Sequence, residues 1–117
     1  MQSFLDTYAM IEILQGNPNF NSFLDKEKYT TDFNLLELAY YLVRNDLQES
    51  TIEPFLRFRL DIDKSWFFEA AKLKKEYARR EFSYCDAIGY IAAIKSGMIF
   101  VTGDQQFKDM PNVEFVK

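Results

Sequence analysis

The chain has 117 residues, of which 48% are hydrophobic and 27% charged, a composition typical of a globular domain and unlike that of a disordered segment. Its 14 basic and 18 acidic side chains give a net charge of −4, which disfavours binding of phosphates by charge alone. No histidine is present and Cys85 is the only cysteine, which excludes histidine-based triads, thiolate zinc clusters and intrachain disulfides. We therefore expect a single domain over residues 1–117.

Two features bear on where the protein works. A lone cysteine is common in proteins of the reducing cytoplasm, where disulfides are rare. The longest apolar run, Ala87 to Ile94, is far shorter than the roughly 20 residues that cross a bilayer, and no signal-peptide pattern is present. We expect a cytoplasmic protein that does not insert into membranes.

In the first half of the chain, short apolar runs alternate with segments of helical spacing. The predicted elements are a strand at 2–5, helices at 8–14 and 18–24, a brief β-favouring segment at 28–31, and a helix from Asp32 or Asn34 to Arg44. The broad apolar face predicted for the last of these helices consists of Leu35, Leu36, Leu38, Ala39, Leu42 and Val43.

The second half continues this alternation and contains the clearest strand. Its predicted elements are a helix at 48–58, a short strand at 60–62, a long helix from a cap at Asp63 to about Arg80, a helix from Ser83 to Lys95, and strands at 98–101 and 113–116. The strand at 98–101 is continuously apolar, as is typical of parallel strands covered on both faces. The alternation as a whole predicts an α/β fold around a mostly parallel sheet.

Four acidic residues are predicted to meet at one edge of this sheet. Asp6 follows the first strand and Asp104 follows the clearest strand, so both belong at the carboxyl edge, where open α/β sheets bind ligands. Asp86 lies in the first turn of the helix that begins after Ser83, and Glu37 lies near the start of the helix that follows the second strand. This convergence predicts a chemical site.

Each acid also has an ordinary structural interpretation. Asp6 and Asp104 can cap the helices that follow them, and Ser83 with Asp86 resembles a capping box. Glu37 can lie on the solvated stripe of an amphipathic helix. That stripe would consist of Asn34, Glu37, Tyr41 and Arg44.

The sequence around Asp86 and Glu37 favours the functional interpretation. Residues 87–94 are apolar on every face of the predicted helix, and leucines flank Glu37, so both carboxylates should be sheltered from water. Sheltered carboxylates need partners or they protonate, and no histidine or obvious lysine is placed to pair with them. Since oxygen ligands suit hard divalent cations, we predict Mg²⁺ or Mn²⁺ at this site.

Four motifs, spread in order across the chain, identify a family. They are Phe4-Leu5-Asp6-Thr7, Asn34-Leu35-Leu36-Glu37-Leu38, Tyr84-Cys85-Asp86-Ala87-Ile88 and Val101-Thr102-Gly103-Asp104-Gln105-Gln106-Phe107. In these motifs and their order the sequence resembles the PIN-domain ribonucleases, and most of all the VapC-type toxins of prokaryotic toxin–antitoxin pairs. Asn112 stands where many such relatives carry glycine.

The resemblance implies a compact three-layer α/β/α sandwich around a short, mostly parallel sheet of four or five strands. It maps the acidic quartet of the family onto Asp6, Glu37, Asp86 and Asp104, which would hold Mg²⁺ or Mn²⁺ for the hydrolysis of RNA phosphodiester bonds. Thr102 would support the last acid. The expected partners are an RNA substrate, a small cognate antitoxin protein and a second copy of the chain in a homodimer.

Two surface features have open interpretations. The basic residues of the long helix could follow an RNA backbone, or they could form a solvated face balanced by glutamates. They are Lys72, Lys74, Lys75, Arg79 and Arg80. The 12 phenylalanines, 7 tyrosines and 1 tryptophan exceed what a core of this size needs, which favours a dimer or antitoxin surface.

Two other functions stay open. The chain could be a catalytically inactive PIN-like module that binds RNA or protein, with the acids serving only as helix caps. It could also be a phosphoacceptor signalling domain, which the absence of a second acid beside Asp6 disfavours. Cys85 is expected to be a small buried packing residue, and Asp109 is expected on the surface.

Overall fold

The computed structural model describes residues 1–117 and is built around a parallel sheet. The four strands are β1 (Ser3–Leu5), β2 (Lys28–Tyr29), β3 (Ile99–Thr102) and β4 (Val113–Phe115), in the order β2-β1-β3-β4. All neighbouring strands run parallel, and the register pairs Leu5 with Val101. The residues that follow β1 and β3 therefore lie side by side at one edge.

Helices cover both faces of the sheet. They are α1 (Thr7–Leu14), α2 (Asp32–Arg44), α3 (Glu53–Leu56), α4 (Ser65–Glu76) and α5 (Tyr84–Lys95). Short 3₁₀ turns occupy Pro18–Phe23, Glu49–Ile52, Ala78–Arg80 and Gln105–Phe107. None of the five α-helices combines the length and the apolar character that a membrane span requires.

The alternation of side chains along β1 and β3 divides the core into two layers. Phe4 and Phe100 stack on one face, with ring centroids 5.5 Å apart, and join the cluster formed with α4 and α5. Leu5 and Val101 point to the other face and join the cluster formed with α1, α2 and α3. This arrangement confirms the predicted three-layer α/β/α sandwich.

Helix α5 forms the centre of one layer. Every residue from Ala87 to Ala93 is buried, as the sequence predicts for a helix that is apolar all round. The start of the helix is fixed by the predicted capping box, in which the Asp86 amide donates to the Ser83 hydroxyl oxygen and the Asp86 carboxylate accepts from the Ser83 amide. The first turn of α5, and with it Asp86, therefore has a defined position.

Three predicted elements between residues 48 and 80 are wrong in detail. The segment 60–62 is not a strand, because its neighbourhood forms only one isolated bridge, between Thr30 and Arg59. The helix predicted at 48–58 divides into a 3₁₀ turn and α3, since Pro54 has no amide hydrogen to continue the earlier turn. The long helix ends at Glu76 instead of Arg80, and Asp63 accepts from the Ser65 amide at its start, 2.9 Å away.

The apolar face predicted for α2 is partly wrong. Leu35, Leu38 and Leu42 are buried, whereas Leu36 and Val43 are 69% and 67% exposed. These two leave the core because they lie about a third of a turn away from the buried stripe.

The turn before β4 requires an uncommon backbone conformation at Asn112. Asn112 has a φ of 62°, in the left-handed region that glycine and asparagine tolerate best. Its side-chain amide donates to the Met98 carbonyl oxygen at 2.8 Å, which stabilises this conformation. Asp109, at another left-handed position, lies on the surface as expected.

Candidate active site

The strands β1 and β3 place Asp6, Thr102 and Asp104 together. The Asp6 amide donates to the Val101 carbonyl oxygen across the sheet at 3.3 Å, so Asp6 continues the pairing of the two strands. The Thr102 hydroxyl donates to the Asp6 carboxylate, and its oxygen accepts from the Asp104 amide at 3.0 Å. Thr102 is completely buried and thus links the two acids, in the supporting position that the family resemblance implies.

Asp6 and Asp104 are also helix caps. One oxygen of Asp6 accepts from the Ala9 amide at 2.8 Å, at the start of α1, and Asp104 accepts from the Gln106 amide at 3.0 Å. Together with the capping box of Asp86, these bonds confirm the structural interpretation of the three aspartates. A cap uses only part of a carboxylate, which has about four lone-pair positions, so capping leaves each group able to bind a further ligand.

Glu37 reaches the same region from α2. Its carboxylate accepts from the Thr7 hydroxyl at 2.6 Å, and Thr7 directly follows Asp6 at the start of α1. The predicted solvated stripe of α2 is wrong at its first position, because Asn34 is only 1% exposed and its side-chain amide donates to Thr7. Tyr41 is half-buried, and Arg44 is exposed as the stripe requires.

All four predicted acids line one open pocket of about 360 Å³. Its wall also contains Thr7, Tyr8, Ile11, Tyr40, Tyr41, Arg44 and Ser83. A volume of this size falls within the range of small-molecule sites and leaves room for more than one ion. The topology therefore brings together residues that are as far apart in sequence as Asp6 and Asp104.

Burial dominates the electrostatics of the pocket. Removal from water raises the pKa of Asp6 to about 7, and the charges of Asp86 and Asp104 act in the same direction, against the hydrogen bonds from Thr102 and Ala9. Burial also raises the pKa of Asp86, with Asp104 and Glu37 adding to the effect and the bonds from Ser83 opposing it. The carboxylates of Asp6 and Asp86 are thus largely removed from water and lie close to other acidic groups.

No basic group neutralises these charges. The ion pairs of the structure join Arg59 to Asp32 and Lys95 to Glu69, both away from the pocket. Arg44 lines the pocket wall without forming an ion pair. An anionic set of oxygen donors without a protein counter-charge fits a hard divalent cation such as Mg²⁺ or Mn²⁺.

The four acids do not form a closed cage of metal ligands. No group of three or more acidic or cysteine side chains is arranged to hold a metal ion as it stands. Mg²⁺ commonly keeps several water ligands and is bound through one or two carboxylates, so the donor set still suits it. The assignment of Asp6, Glu37, Asp86 and Asp104 as metal ligands therefore stays a prediction.

Cys85 lies beside Glu37 and Asp86 in the first turn of α5. Burial raises its pKa to about 12, and the two neighbouring carboxylates add to this effect. The thiol is half-buried and donates to the Phe33 carbonyl oxygen at 3.5 Å. Cys85 is therefore less buried than the sequence predicts.

The basic residues near α4 are partly tied to the protein itself. Lys74 donates to the Phe82 carbonyl oxygen and lies over the Tyr84 ring, and Arg80 donates to the carbonyl oxygens of Gln106 and Lys108. These bonds restrict both side chains, so the cluster is not a uniform surface for a nucleic acid.

The sequence assigns no role to Thr7 or Gly103, and it places Asn34 on the solvated stripe of α2 instead of next to Glu37. Thr7 and Asn34 connect to Glu37, as described above. Gly103 provides space, since a Cβ at this position would lie 2.2 Å from the Val116 carbonyl oxygen and 2.3 Å from the Tyr8 ring. A glycine directly after a strand can indicate that another part of the chain packs closely against its backbone, so Gly103 in the sequence could have predicted this contact.

Comparison with known proteins agrees with this geometry. The sequence profile of the PIN domain matches residues 3–113. No curated protein sequence is significantly similar to this chain.

Solved structures share the fold at low sequence identity. A chain of a toxin–antitoxin complex from Klebsiella pneumoniae has a TM-score of 0.79 at 17% identity, with 96% of this chain and 95% of that chain covered. VapBC2 from Rickettsia felis, bound to a DNA fragment from its promoter, has a TM-score of 0.78 at 20% identity over 100% of both chains. VapC20 from Mycobacterium tuberculosis, a sarcin-ricin loop cleaving toxin, has a TM-score of 0.79 at 16% identity, with 98% and 99% covered.

Proposed function

Because the chain belongs to the PIN domain family, we propose that it is a Mg²⁺- or Mn²⁺-dependent endoribonuclease and the toxin of a toxin–antitoxin pair. The observation that carries the proposal is that Asp6, Glu37, Asp86 and Asp104 line one pocket without a basic partner. Similar folds in a toxin–antitoxin complex and in a toxin that cleaves the sarcin-ricin loop support it.

The roles follow from the position of each carboxylate. Asp6, Asp86 and Asp104 would hold the metal, directly or through water, and Glu37 would orient the attacking water or help to hold a second ion. When bound, the metal supplies Lewis-acid stabilisation of the phosphate charge and lowers the pKa of a bound water. Through its hydroxyl, Thr102 holds the carboxylate of Asp6 and the backbone of Asp104 in fixed positions.

Arg44 offers the phosphate contact that the net charge otherwise disfavours. It lies in the pocket wall on α2, free of ion pairs, and its guanidinium lies 5.7 Å from the centre of the Tyr40 ring. We propose that Arg44 binds the RNA phosphate adjacent to the one that is cleaved.

Helix α2 of this chain carries an exposed apolar surface that a protein partner could bind. Four exposed apolar residues of α2 repeat at alternating spacings of three and four residues, which is typical of a helix that packs against another helix. They are Phe33, Leu36, Tyr40 and Val43, and the exposed Leu47 follows beyond the end of the helix. Exposed apolar patches of this kind mark interfaces, and we propose that this stripe contributes to contact with an antitoxin or a second copy of the chain.

The decisive experiment measures RNA cleavage by purified protein with and without divalent metal. We expect cleavage with Mn²⁺ or Mg²⁺, none in the presence of a chelator, and none in Asp86→Asn. Equal cleavage in chelator would contradict the metal-dependent mechanism. Coexpression with the product of an adjacent small gene, followed by size-exclusion chromatography, tests the antitoxin and dimer proposals.

A second candidate function is an inactive RNA- or protein-binding module. The observation that favours it is that all three aspartates already cap helices and that the acids form no closed cage. An ion that binds the native state raises its melting temperature. An unchanged melting temperature in millimolar Mn²⁺ would favour the module over the nuclease.

A further inference from the structure

A series of hydrogen bonds connects Thr31 to Glu37 through Asn34 and Thr7. The Thr31 hydroxyl donates to Asn34 Oδ1 at 2.6 Å, and Asn34 Nδ2 donates to Thr7 Oγ1 at 3.2 Å. The Thr7 hydroxyl then donates to Glu37 Oε1 at 2.6 Å, a shorter distance than the 3.3 Å to its other acceptor, the Asn34 carbonyl oxygen. The series ends at the pocket.

The directions of these bonds are mutually consistent. Thr31 Oγ1 accepts from the Asn34 backbone amide at 3.1 Å and gives its own proton to Asn34 Oδ1. With Oδ1 towards Thr31, the side-chain nitrogen of Asn34 faces Thr7 and donates to its oxygen. Thr7 then points its proton away from the Asn34 side chain and towards the carboxylate oxygen of Glu37.

The packing of α2 against α5 leaves little freedom to Asn34. The side chain is 1% exposed, and a Cβ added at Gly89 of α5 would lie 3.1 Å from Asn34 Oδ1. A buried amide is costly unless its hydrogen bonds are made. Here both the oxygen and the nitrogen of the Asn34 amide form hydrogen bonds. The glycine on α5 thus provides the space in which the amide is held.

Glu37 differs from the aspartates in how it is held. Each aspartate accepts from a backbone amide, from Ala9, Ser83 or Gln106. Glu37 accepts from the Thr7 hydroxyl at 2.6 Å, and the Cys85 thiol also lies beside its carboxylate. Because the carboxylate has no backbone anchor, its direction depends on these side chains, of which Thr7 provides the short hydrogen bond.

We propose that Asn34 and Thr7 are positioning residues, which hold the Glu37 carboxylate towards the pocket. The relevance of this for RNA hydrolysis rests on the proposed function. Asn34 acts through Thr7, since it bonds to the Thr7 oxygen and leaves the Thr7 proton to Glu37. Neither residue needs to touch the substrate.

Four variants test this proposal. Thr7→Val removes the hydroxyl with little change of shape, Thr7→Ser retains it, and Asn34→Ala removes the amide while leaving Thr7 in place. Thr30→Val is the matched control, because Thr30 is a buried threonine whose hydroxyl donates to the Leu5 carbonyl oxygen at 2.9 Å and not towards Glu37.

The first readout is the side-chain conformation of Glu37, measured in metal-free protein by NMR scalar couplings. We expect one rotamer in wild type, Thr7→Ser and Thr30→Val, and rotamer averaging in Thr7→Val and Asn34→Ala. A fixed Glu37 in Thr7→Val, or equal averaging in Thr30→Val, would overturn the proposal. If Asn34→Ala does not fold, the comparison of the three threonine variants still shows whether the Thr7 hydroxyl positions Glu37.

The second readout is RNA cleavage in Mn²⁺. We expect kcat to fall about 10- to 100-fold in Thr7→Val and Asn34→Ala with KM within about twofold, and to stay within about threefold in Thr7→Ser. A rise of KM alone would contradict positioning of Glu37. A wild type that fails to cleave RNA would refute the proposed nuclease, whereas the NMR result would still establish or overturn the positioning of Glu37.

Discussion

The two walls of the pocket hold their acids in different ways. On the strand side, Asp6 and Asp104 are fixed by the sheet register, by backbone amides and by the buried Thr102. On the α2 side, Glu37 depends on a neighbouring hydroxyl, and the wall continues outwards to the exposed Arg44. The difference indicates that the strand wall provides a rigid ionic site, while the helix wall orients groups that meet water and substrate.

The strongest test of the strand wall is Asp6→Asn. The amide can still accept from Ala9 and thus cap α1, but it has no charge for a metal, so we expect RNA cleavage to fall at least ~1,000-fold. Asp109→Asn is the matched control, because Asp109 is an exposed residue at a left-handed position that asparagine tolerates. Cleavage assays at saturating Mn²⁺ measure both variants, and residual activity within about tenfold of wild type in Asp6→Asn would contradict a metal site on this wall.

A steric change tests how tightly the same wall is packed. In Gly103→Ala the new Cβ would meet the Val116 carbonyl oxygen and the Tyr8 ring at less than contact distance, so we expect a loss of about 2–4 kcal/mol of unfolding free energy. Gly97→Ala separates this effect from backbone strain, because Gly97 has a φ of 69° but open space around it, which predicts a loss of about 1 kcal/mol. Chemical denaturation measures both values. Equal losses of unfolding free energy in the two variants would show that the close contacts at Gly103 do not cause the destabilisation.

The buried charge of Asp6 predicts a pH dependence of stability in metal-free protein. Its pKa is raised from 3.8 to about 7 on folding, so the folded state binds the proton more tightly than the unfolded chain does. The contribution of protonated Asp6 to the free energy of unfolding is fully present below about pH 4 and is lost as the pH rises to about 7. Between these values the free energy of unfolding falls by about 1.4 kcal/mol for each pH unit.

Thermal unfolding of metal-free protein between pH 4 and pH 8 measures this slope. Asp6→Asn removes the titrating group, so we expect a flatter profile and a higher melting temperature than wild type at pH 8. A profile with the same slope in wild type and Asp6→Asn would show that Asp6 is not the buried acid responsible. The same variant thus loses activity but gains metal-free stability, which distinguishes a lost metal ligand from misfolding.

The helix wall is tested by Arg44→Ala. If Arg44 contacts a flanking phosphate, we expect KM for RNA to rise about 5- to 10-fold with kcat nearly unchanged, which corresponds to roughly 1 kcal/mol of binding. Arg79→Ala, in the basic segment near α4, is the comparison and should change KM less than twofold. Steady-state kinetics on both variants measure this, and a larger effect of Arg79 would place the RNA along the basic segment.

The strand wall could be predicted from the sequence and the helix wall only in part. Asp6 and Asp104 follow strands, and Ser83 with Asp86 forms a capping box, so local patterns determine their positions. The burial of Asn34 depends on Gly89, which is far away in the chain, and helical spacing alone placed Asn34 on a solvated stripe.

The remaining errors have similar physical causes. Leu36 and Val43 are apolar but exposed, because hydrophobicity does not distinguish a core contact from a surface that another molecule can cover. The short strand expected at 60–62 depends on pairing with a distant segment, and only one bridge forms there. The prediction that residues 1–117 form one domain stays a prediction.

The measurement that tests the central claim most directly is anomalous diffraction from crystals soaked in Mn²⁺. We predict an anomalous peak in the pocket, within coordination distance, directly or through water, of Asp6, Asp86 and Asp104, and its loss in Asp6→Asn crystals. An empty pocket in wild-type crystals at millimolar Mn²⁺, or a peak only at distant surface carboxylates, would contradict the claim that these acids form a metal site.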